Sequence, residues 1–173
     1  MSDYIENMRA SDKQPVRYTI EPVDAYREFV NGLIAESWSG PFIVSKGVLH
    51  DTRSHKGFVS VKESDVMGCI LYSIVGSGCE ITVLESLSER QGIGRSLIHA
   101  VVQVAKEAGC DRVWLVTTND NTQAIRFYQR FGFSLCAVHI DSMKEARKLK
   151  PQIPLTGNED IPLAHEFEFE MRI

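Results

Sequence analysis

The tightest constraint in this sequence is the stretch Glu89-Arg90-Gln91-Gly92-Ile93-Gly94-Arg95-Ser96, set between a β-rich segment at residues 79–85 and an amphipathic run at 93–108. Two glycines one residue apart allow a tight turn and a close backbone approach to a ligand, because neither carries a Cβ. The amides that open the next helix have no intrahelical partner and lie at the positive end of the macrodipole, so the loop is a candidate phosphate cradle. A plain Gly-rich turn before a surface helix is the alternative. The helix places Ile93, Leu97, Ile98, Val101, Val104, Ala105 and Ala108 on one side and stops at Gly109. Residues 112–117 form the next strand, so strand, loop, helix and strand make one βαβ unit whose two strands are parallel. A ligand is then expected beyond their carboxyl ends, where the glycine loop lies.

The rest of the chain builds outward from this unit. Strands at 57–62, 68–75 and 79–85 are joined so briefly that neighbours must be antiparallel, which predicts a mixed, mostly antiparallel sheet with one parallel pair. Upstream, residues 1–14 form a polar, loosely held start and residues 16–20 alternate as a first strand. Glu21-Pro22 begins a helix that ends near Trp38-Ser39-Gly40-Pro41, with Val23, Tyr26, Val30, Leu33 and Ile34 on one stripe. Ser45-Lys46-Gly47 suggests a hairpin within 42–49, and 50–56 a polar loop whose His50 and His55 either face solvent or meet a substrate. Downstream come a helix at 122–131 capped by Asn121, a strand at 133–140, and a basic helix at 143–149 capped by Asp141-Ser142. A Pro-rich loop at 151–162 precedes a last strand at 165–173, in which Phe167, Phe169, Met171 and Ile173 face one way and Glu166, Glu168, Glu170 and Arg172 the other. That alternation predicts one buried face. The chain reads as one domain, 1–173, with a helix-plus-loop insertion at 142–164.

Composition removes several classes. A net charge of −4 on 173 residues opposes a general nucleic-acid binder. No apolar run approaches the ~20 residues that span a bilayer, and no secretory signal is visible, so neither membrane nor export is expected and the compartment is read as cytoplasmic. Cys69, Cys79, Cys110 and Cys136 lack CxxC spacing and lie in apolar segments, which reads as reduced, buried thiols and not as a metal site.

Two familiar readings of the glycine loop fail. A dinucleotide fingerprint needs a third glycine where Leu97 stands, and a P-loop needs GxxxxGK[ST]. A third rests on Asn121, Ala124 and Tyr128, which share a helix face, with Asn121 and Tyr128 roughly 10.5 Å apart along the axis. A polar group at each end with a small residue between suits a linear, amide-bearing ligand. On Gln91-Gly92-Ile93-Gly94-Arg95-Ser96-Leu97 after a strand, and Asn121-xx-Ala124-xx-Phe127-Tyr128-xxx-Gly132-Phe133 after the next, the sequence resembles the GNAT superfamily of acyl-CoA-dependent N-acetyltransferases. The resemblance covers residues 57–140 well and the first strand and helix more loosely.

That resemblance implies an α/β GNAT fold with helices on both faces of the sheet and the two parallel strands splayed to admit acetyl-CoA. It implies that Arg90, Gln91, Gly92, Ile93, Gly94, Arg95 and Ser96 hold the pyrophosphate through backbone amides, that Leu84 pairs with the pantetheine arm, that Asn121 binds further along it, and that Tyr128 protonates the departing thiolate. The acetyl group would pass directly to a primary amine of a small molecule or peptide, with no covalent intermediate and no metal; a homodimer is allowed. Glu89 departs from the family's usual Gln or Arg and places a carboxylate near phosphate, offset by Arg90 and Arg95. For the base, Glu80 is set on the same strand face as Thr82 and Leu84; Glu85 is the rival if a bulge intervenes, and solvent the third choice. Tyr128 has a competing role as a core aromatic, Asn121 as a helix cap only, and the basic helix with Lys150 as a solvated face. Trp38, His50, His55 and His165 are open candidates for the acceptor side. A catalytically silent CoA-binding regulatory module, and an interaction domain using the Pro-rich loop, are the rival functions.

Overall fold

The structure, a computed structural model, describes residues 18–88 and 90–173. In chain order its elements are β1 (Thr19–Pro22), a short 3-10 turn, α1 (Arg27–Ser37), β2 (Phe42–Ser45), β3 (Val48–Asp51), β4 (Lys56–Lys62), β5 (Asp65–Val75), β6 (Gly78–Ser86), α2 (Ile93–Glu107), β7 (Arg112–Thr118), α3 (Thr122–Phe131), β8 (Ser134–His139), α4 (Ser142–Leu149) and β9 (Glu166–Arg172). Seven strands form one sheet in the order β1-β4-β5-β6-β7-β9-β8, and β2-β3 is a separate hairpin. All neighbours in the large sheet are antiparallel except β6 and β7, which close the βαβ unit as the sequence requires.

The parallel pair is hydrogen-bonded only from Gly78–Arg112 to Ile81–Leu115, although β6 continues to Ser86 and β7 to Thr118. Beyond Ile81 the strands part. One side of the sheet is filled by α2 and α3, through Ile93, Leu97, Ile98, Val101 and Tyr128, with Phe133 just after α3. The other carries α1, through Val30 and Ile34, with the hairpin's Ile43 beside them. Met143 and Ala146 of α4 pack with Leu163 against Val44, which roofs the same side.

Strand β6 does not keep one alternation throughout. Leu71 faces Val83 and Tyr72 faces Ile81, so Thr82 is an extra residue without a partner on β5. Such a bulge moves every later side chain to the opposite face. Cys79 and Ile81 pack with α2 and α3, whereas Val83 packs with α1, and Leu84 turns back to the α2–α3 side. The expectation that Glu80 and Leu84 share a face is therefore corrected: Glu80 and Glu85 share the α1 side.

Other differences have equally local causes. Pro22 ends β1 instead of opening α1, and Val16 and Arg17 of the expected first strand, like residues 1–14, lie outside the described residues. Residues 50–56 are not a loop: His50 and Asp51 lie in β3, Lys56 in β4, and His55 is half-buried between them. Cys136 is exposed because β8 is an edge strand, while the other three thiols are buried; all four are free. Asp141 precedes α4 with φ 58 and makes no cap bond; its carboxylate pairs with Lys144.

The largest departure is β9. It sits between β7 and β8, and its glutamates are covered as well as its phenylalanines: Glu166 is 2% exposed and Glu168 7%. The hairpin turn explains this. Lys46 and Gly47 both have positive φ, and the turn they form brings the Lys46 amide to both carboxylate oxygens of Glu166 (3.3 and 3.2 Å) and its ammonium to Glu168 (3.0 Å) and over the Trp114 ring (4.0 Å).

Candidate active site

Where β6 and β7 part, a cavity of about 720 Å³ opens. Leu84 and Glu85 of β6, Thr117 and Thr118 of β7, Asn121 at the start of α3 and Tyr128 within it line the splayed end; Trp38, Ser45, Glu80, Glu166 and residues 152–154 and 156–158 line the rest. The sequence placed Asn121 and Tyr128 on one helix face, and both reach this cavity. Asn121 also caps α3, its side-chain oxygen accepting from the Ala124 amide at 3.2 Å, so capping and cavity lining coexist.

Tyr128 is at once a core residue and a residue of the cavity wall. Its ring packs edge-on against Phe127 and Phe133, and the residue is 8% exposed, so it anchors the core. It lines the cavity as well. Burial, reinforced by the nearby Glu85 carboxylate, pushes its pKa up, so the hydroxyl keeps its proton at neutral pH.

Two carboxyls face the cavity from the α1 side. Burial pushes Glu80 up to about 7, with Lys46 opposing the shift and Glu168 adding to it. Glu85 is raised by burial as well, opposed by Ser37. Thr82, the bulged residue, donates to the Leu71 carbonyl at 3.3 Å and lies 2.9 Å from His55 Nδ1. Among the described lining residues, Trp38 is present from the open candidates, while His50, His55 and His165 are not.

The glycine loop lies past the end of β6 and outside this cavity's lining. Gly92 caps α2 at φ 76, a left-handed conformation that explains the glycine. The first intrahelical bond runs from the Ser96 amide to the Gly92 carbonyl (3.0 Å), which leaves the amides of Ile93, Gly94 and Arg95 without an intrahelical acceptor. Ser96 is otherwise engaged, its hydroxyl 2.8 Å from that of Tyr18. The Ile93 side chain is in the core, so only its backbone is open to a ligand. At Gly94 a Cβ would come 3.3 Å from the Phe127 ring, so that glycine lets α2 and α3 approach. Arg95 lies over Phe131 (5.2 Å), and Arg90 is exposed with φ 59. Glu89, the departure noted in the sequence, lies outside the described residues.

A family model described as the acetyltransferase (GNAT) family matches residues 11–133. The chain belongs to that family. Its relative YdhI of Bacillus subtilis is 38% identical over 144 residues, covering 83% of this chain and 90% of YdhI. Two solved structures share the GNAT acetyltransferase fold. One is an IAA acetyltransferase from Bacillus cereus (TM-score 0.67, 15% identity, 91% of this chain and all of that one). The other is a GNAT family acetyltransferase from Elizabethkingia anophelis with acetyl-CoA bound (TM-score 0.65, 16% identity, 90% and 98%).

Sequence reasoning passed over several cavity residues. Asp120 and Glu166 are buried carboxylates in the lining, and Lys150 joins them with its ammonium donating to the Trp38 and Phe42 carbonyls. Lys150 and Arg147 thus turn inward from the basic helix, while Lys144 and Lys148 stay on its solvent side in pairs with Asp141 and Glu145. The signal for Asp120 was its place in the run Asn119-Asp120-Asn121; Glu166 looked like one of four alternating polar residues.

Proposed function

We propose that this acetyltransferase moves the acetyl group of acetyl-CoA directly to a primary amine of a small molecule or peptide, in the cleft between β6 and β7. The observation that carries the reading is the placement of a proton-holding Tyr128 and a titratable Glu80 on the walls of one cavity. The loop residues suit the donor: Ile93, Gly94 and Arg95 offer amides at a helix start that have no acceptor among the described residues, and Gly92 has no side chain to obstruct them. Arg90 and Gln91 complete this phosphate-facing loop, whereas Ser96, expected to share in it, has its amide on the Gly92 carbonyl and its hydroxyl on Tyr18; Leu84 and Asn121 flank the acyl-bearing arm, and the Elizabethkingia structure with acetyl-CoA bound supports the same donor here.

Acetyl-CoA supplies the acetyl group as a thioester, already activated for attack. An alkyl amine with a pKa near ~10.4 is nucleophilic in only about one of 10³ molecules at neutral pH, so a proton must be removed. Glu80 accepts it through water when ionised. The amine nitrogen bonds to the acetyl carbon, the carbon–sulfur bond breaks, and Tyr128 delivers its proton to the departing sulfur; the proton that the nitrogen sheds on becoming an amide restores the Tyr128 hydroxyl, so free thiol and acetamide are the products. Cysteine and serine nucleophiles have no place in this direct transfer. The acceptor is expected to be cationic: Glu80, Glu85, Asp120 and Glu166 line the cavity, whereas the ammonium of Lys150 is committed to two backbone carbonyls.

Acetyl-CoA at ~100 times its dissociation constant should stabilise the fold by about 2.7 kcal/mol, read as a rise in melting temperature. A panel of primary amines should then release free thiol. A melting temperature unmoved by saturating acetyl-CoA overturns the proposal.

A further inference from the structure

Three consecutive residues after β7 make contacts of different kinds. Asn121 caps α3 and reaches the cavity. Asn119 is spent on the far end of the 151–164 segment: its side-chain oxygen accepts from the amides of Ala164 (3.0 Å) and His165 (2.9 Å), and its amide group donates to the Pro162 carbonyl (2.9 Å). Asp120 holds the tip. One carboxylate oxygen accepts from both the backbone and side-chain nitrogens of Asn158, at 2.9 and 2.7 Å, and Asp120 is 4% exposed. Its other oxygen is buried without a partner among the described residues.

The segment itself is a closed loop. Thr156 bridges Pro162, Gly157 donates to the Ile161 carbonyl at 2.9 Å and Leu163 to that of Leu155 at 2.9 Å. Glu159 and Asp160 at its tip have φ of 53 and 58, conformations that persist only where surroundings impose them. Gly157 is needed for contact and not for its backbone angles: its φ is −106, but a Cβ there would lie 2.1 Å from the Asp120 carboxylate. Gln152, Pro154, Thr156, Gly157 and Asn158 line the cavity opposite the splayed strands.

Resting on the proposed function, with the 151–164 loop as a wall of its acceptor side, we infer that Asp120 is the positioning residue that fixes this loop against Asn121. Donor and acceptor subsites are then referenced to adjacent residues of one turn. The Asp120–Asn158 clasp can be broken from either side, by Asp120→Ala or by Gly157→Ala, and Asp120→Asn keeps an oxygen to accept from Asn158.

The test combines hydrogen exchange with kinetics. Exchange on the full-length protein should show the amides of residues 157–163 losing protection in Asp120→Ala and Gly157→Ala, with α3 protected as in the wild type and Asp120→Asn close to it. Acetyl-CoA affinity should stay within about twofold. The KM for amines that the wild type accepts from a panel of spermidine, tyramine and lysine methyl ester should rise about tenfold in both broken variants, the size expected when a charged hydrogen bond that orders a wall is lost. The two substitutions together should cost no more than either alone. Unchanged protection at 157–163, or acetyl-CoA affinity falling as far as the amine KM rises, overturns the inference. A wild-type protein that fails to bind acetyl-CoA overturns the proposed function instead, and the exchange result still decides whether Asp120 holds the loop.

Discussion

Tyr128 has a ring packed in the core and a hydroxyl that the proposed mechanism uses as the acid, and substitution separates the two. Tyr128→Phe keeps the packing against Phe127 and Phe133, so the fold and acetyl-CoA affinity should hold while single-turnover rates fall roughly 100-fold or more, the magnitude of a lost general acid. Equal rates would leave Tyr128 as a core residue alone. Glu80 should show itself through pH. As the base it must be ionised, so activity should rise through pH about 7, and Glu80→Gln should abolish that limb while regaining rate at high pH, where free amine is plentiful. Its effect on stability has the opposite sense. A folded pKa of about 7 against an ordinary 4.5 means the native state holds an extra proton between those values, so this group's contribution is full below about 4.5 and is lost as pH rises to about 7. Urea unfolding of Glu80→Gln should lack that decline. If Glu85→Gln removes the acid limb and Glu80→Gln does not, Glu85 is the base. The sequence could name both carboxylates because each stands on the strand before the loop; it could not rank them, because one unpaired residue, Thr82, decides which face Glu85 takes.

Elements were more legible than their contacts. The βαβ unit, the hairpin, α3 with its cap and the last strand all follow from periodicity and punctuation, since each is set by residues close in sequence. The burial of Glu166 and Glu168 was not legible, because it depends on Lys46, more than a hundred positions away, docking the β2–β3 hairpin onto β9. Lys46→Met should test that docking. It leaves the largely buried Glu168 with His139 and Arg112 but without its ammonium, and should cost about 1–3 kcal/mol, less than a fully buried pair because Lys46 is partly exposed. It should also move the acid limb of activity to higher pH, because Lys46 is what holds Glu80 down. At the glycine loop, Gly92→Val puts a β-branched side chain at φ 76 and beside the free amides, and should abolish the acetyl-CoA melting shift. A variant that folds and still shows the full shift would separate the loop from donor binding.

Across the molecule, the GNAT fold and the family were readable from two motifs in the correct order, and both are confirmed by the family match and the structural neighbours. The acceptor was not, for a physical reason. The cavity proposed to receive it is walled by the end of α1, β2, β6, the end of β7, the 151–164 loop and the start of β9, segments that no local pattern links.

The strand order β7-β9-β8 also bears on how the chain acquires activity. Strand β8 has no bond to β7 and finds its only described strand partner in β9, made some thirty residues later. During synthesis, β8 must wait with an unpaired edge until residues 166–172 arrive and enter the slot beside β7, a period of exposure to wrong partners. The same insertion delivers Glu166 to the cavity and gives the Lys46 turn its anchor. Catalytic competence should therefore appear late and abruptly as the nascent chain lengthens, with the acceptor wall and the last third of the sheet completed in one event.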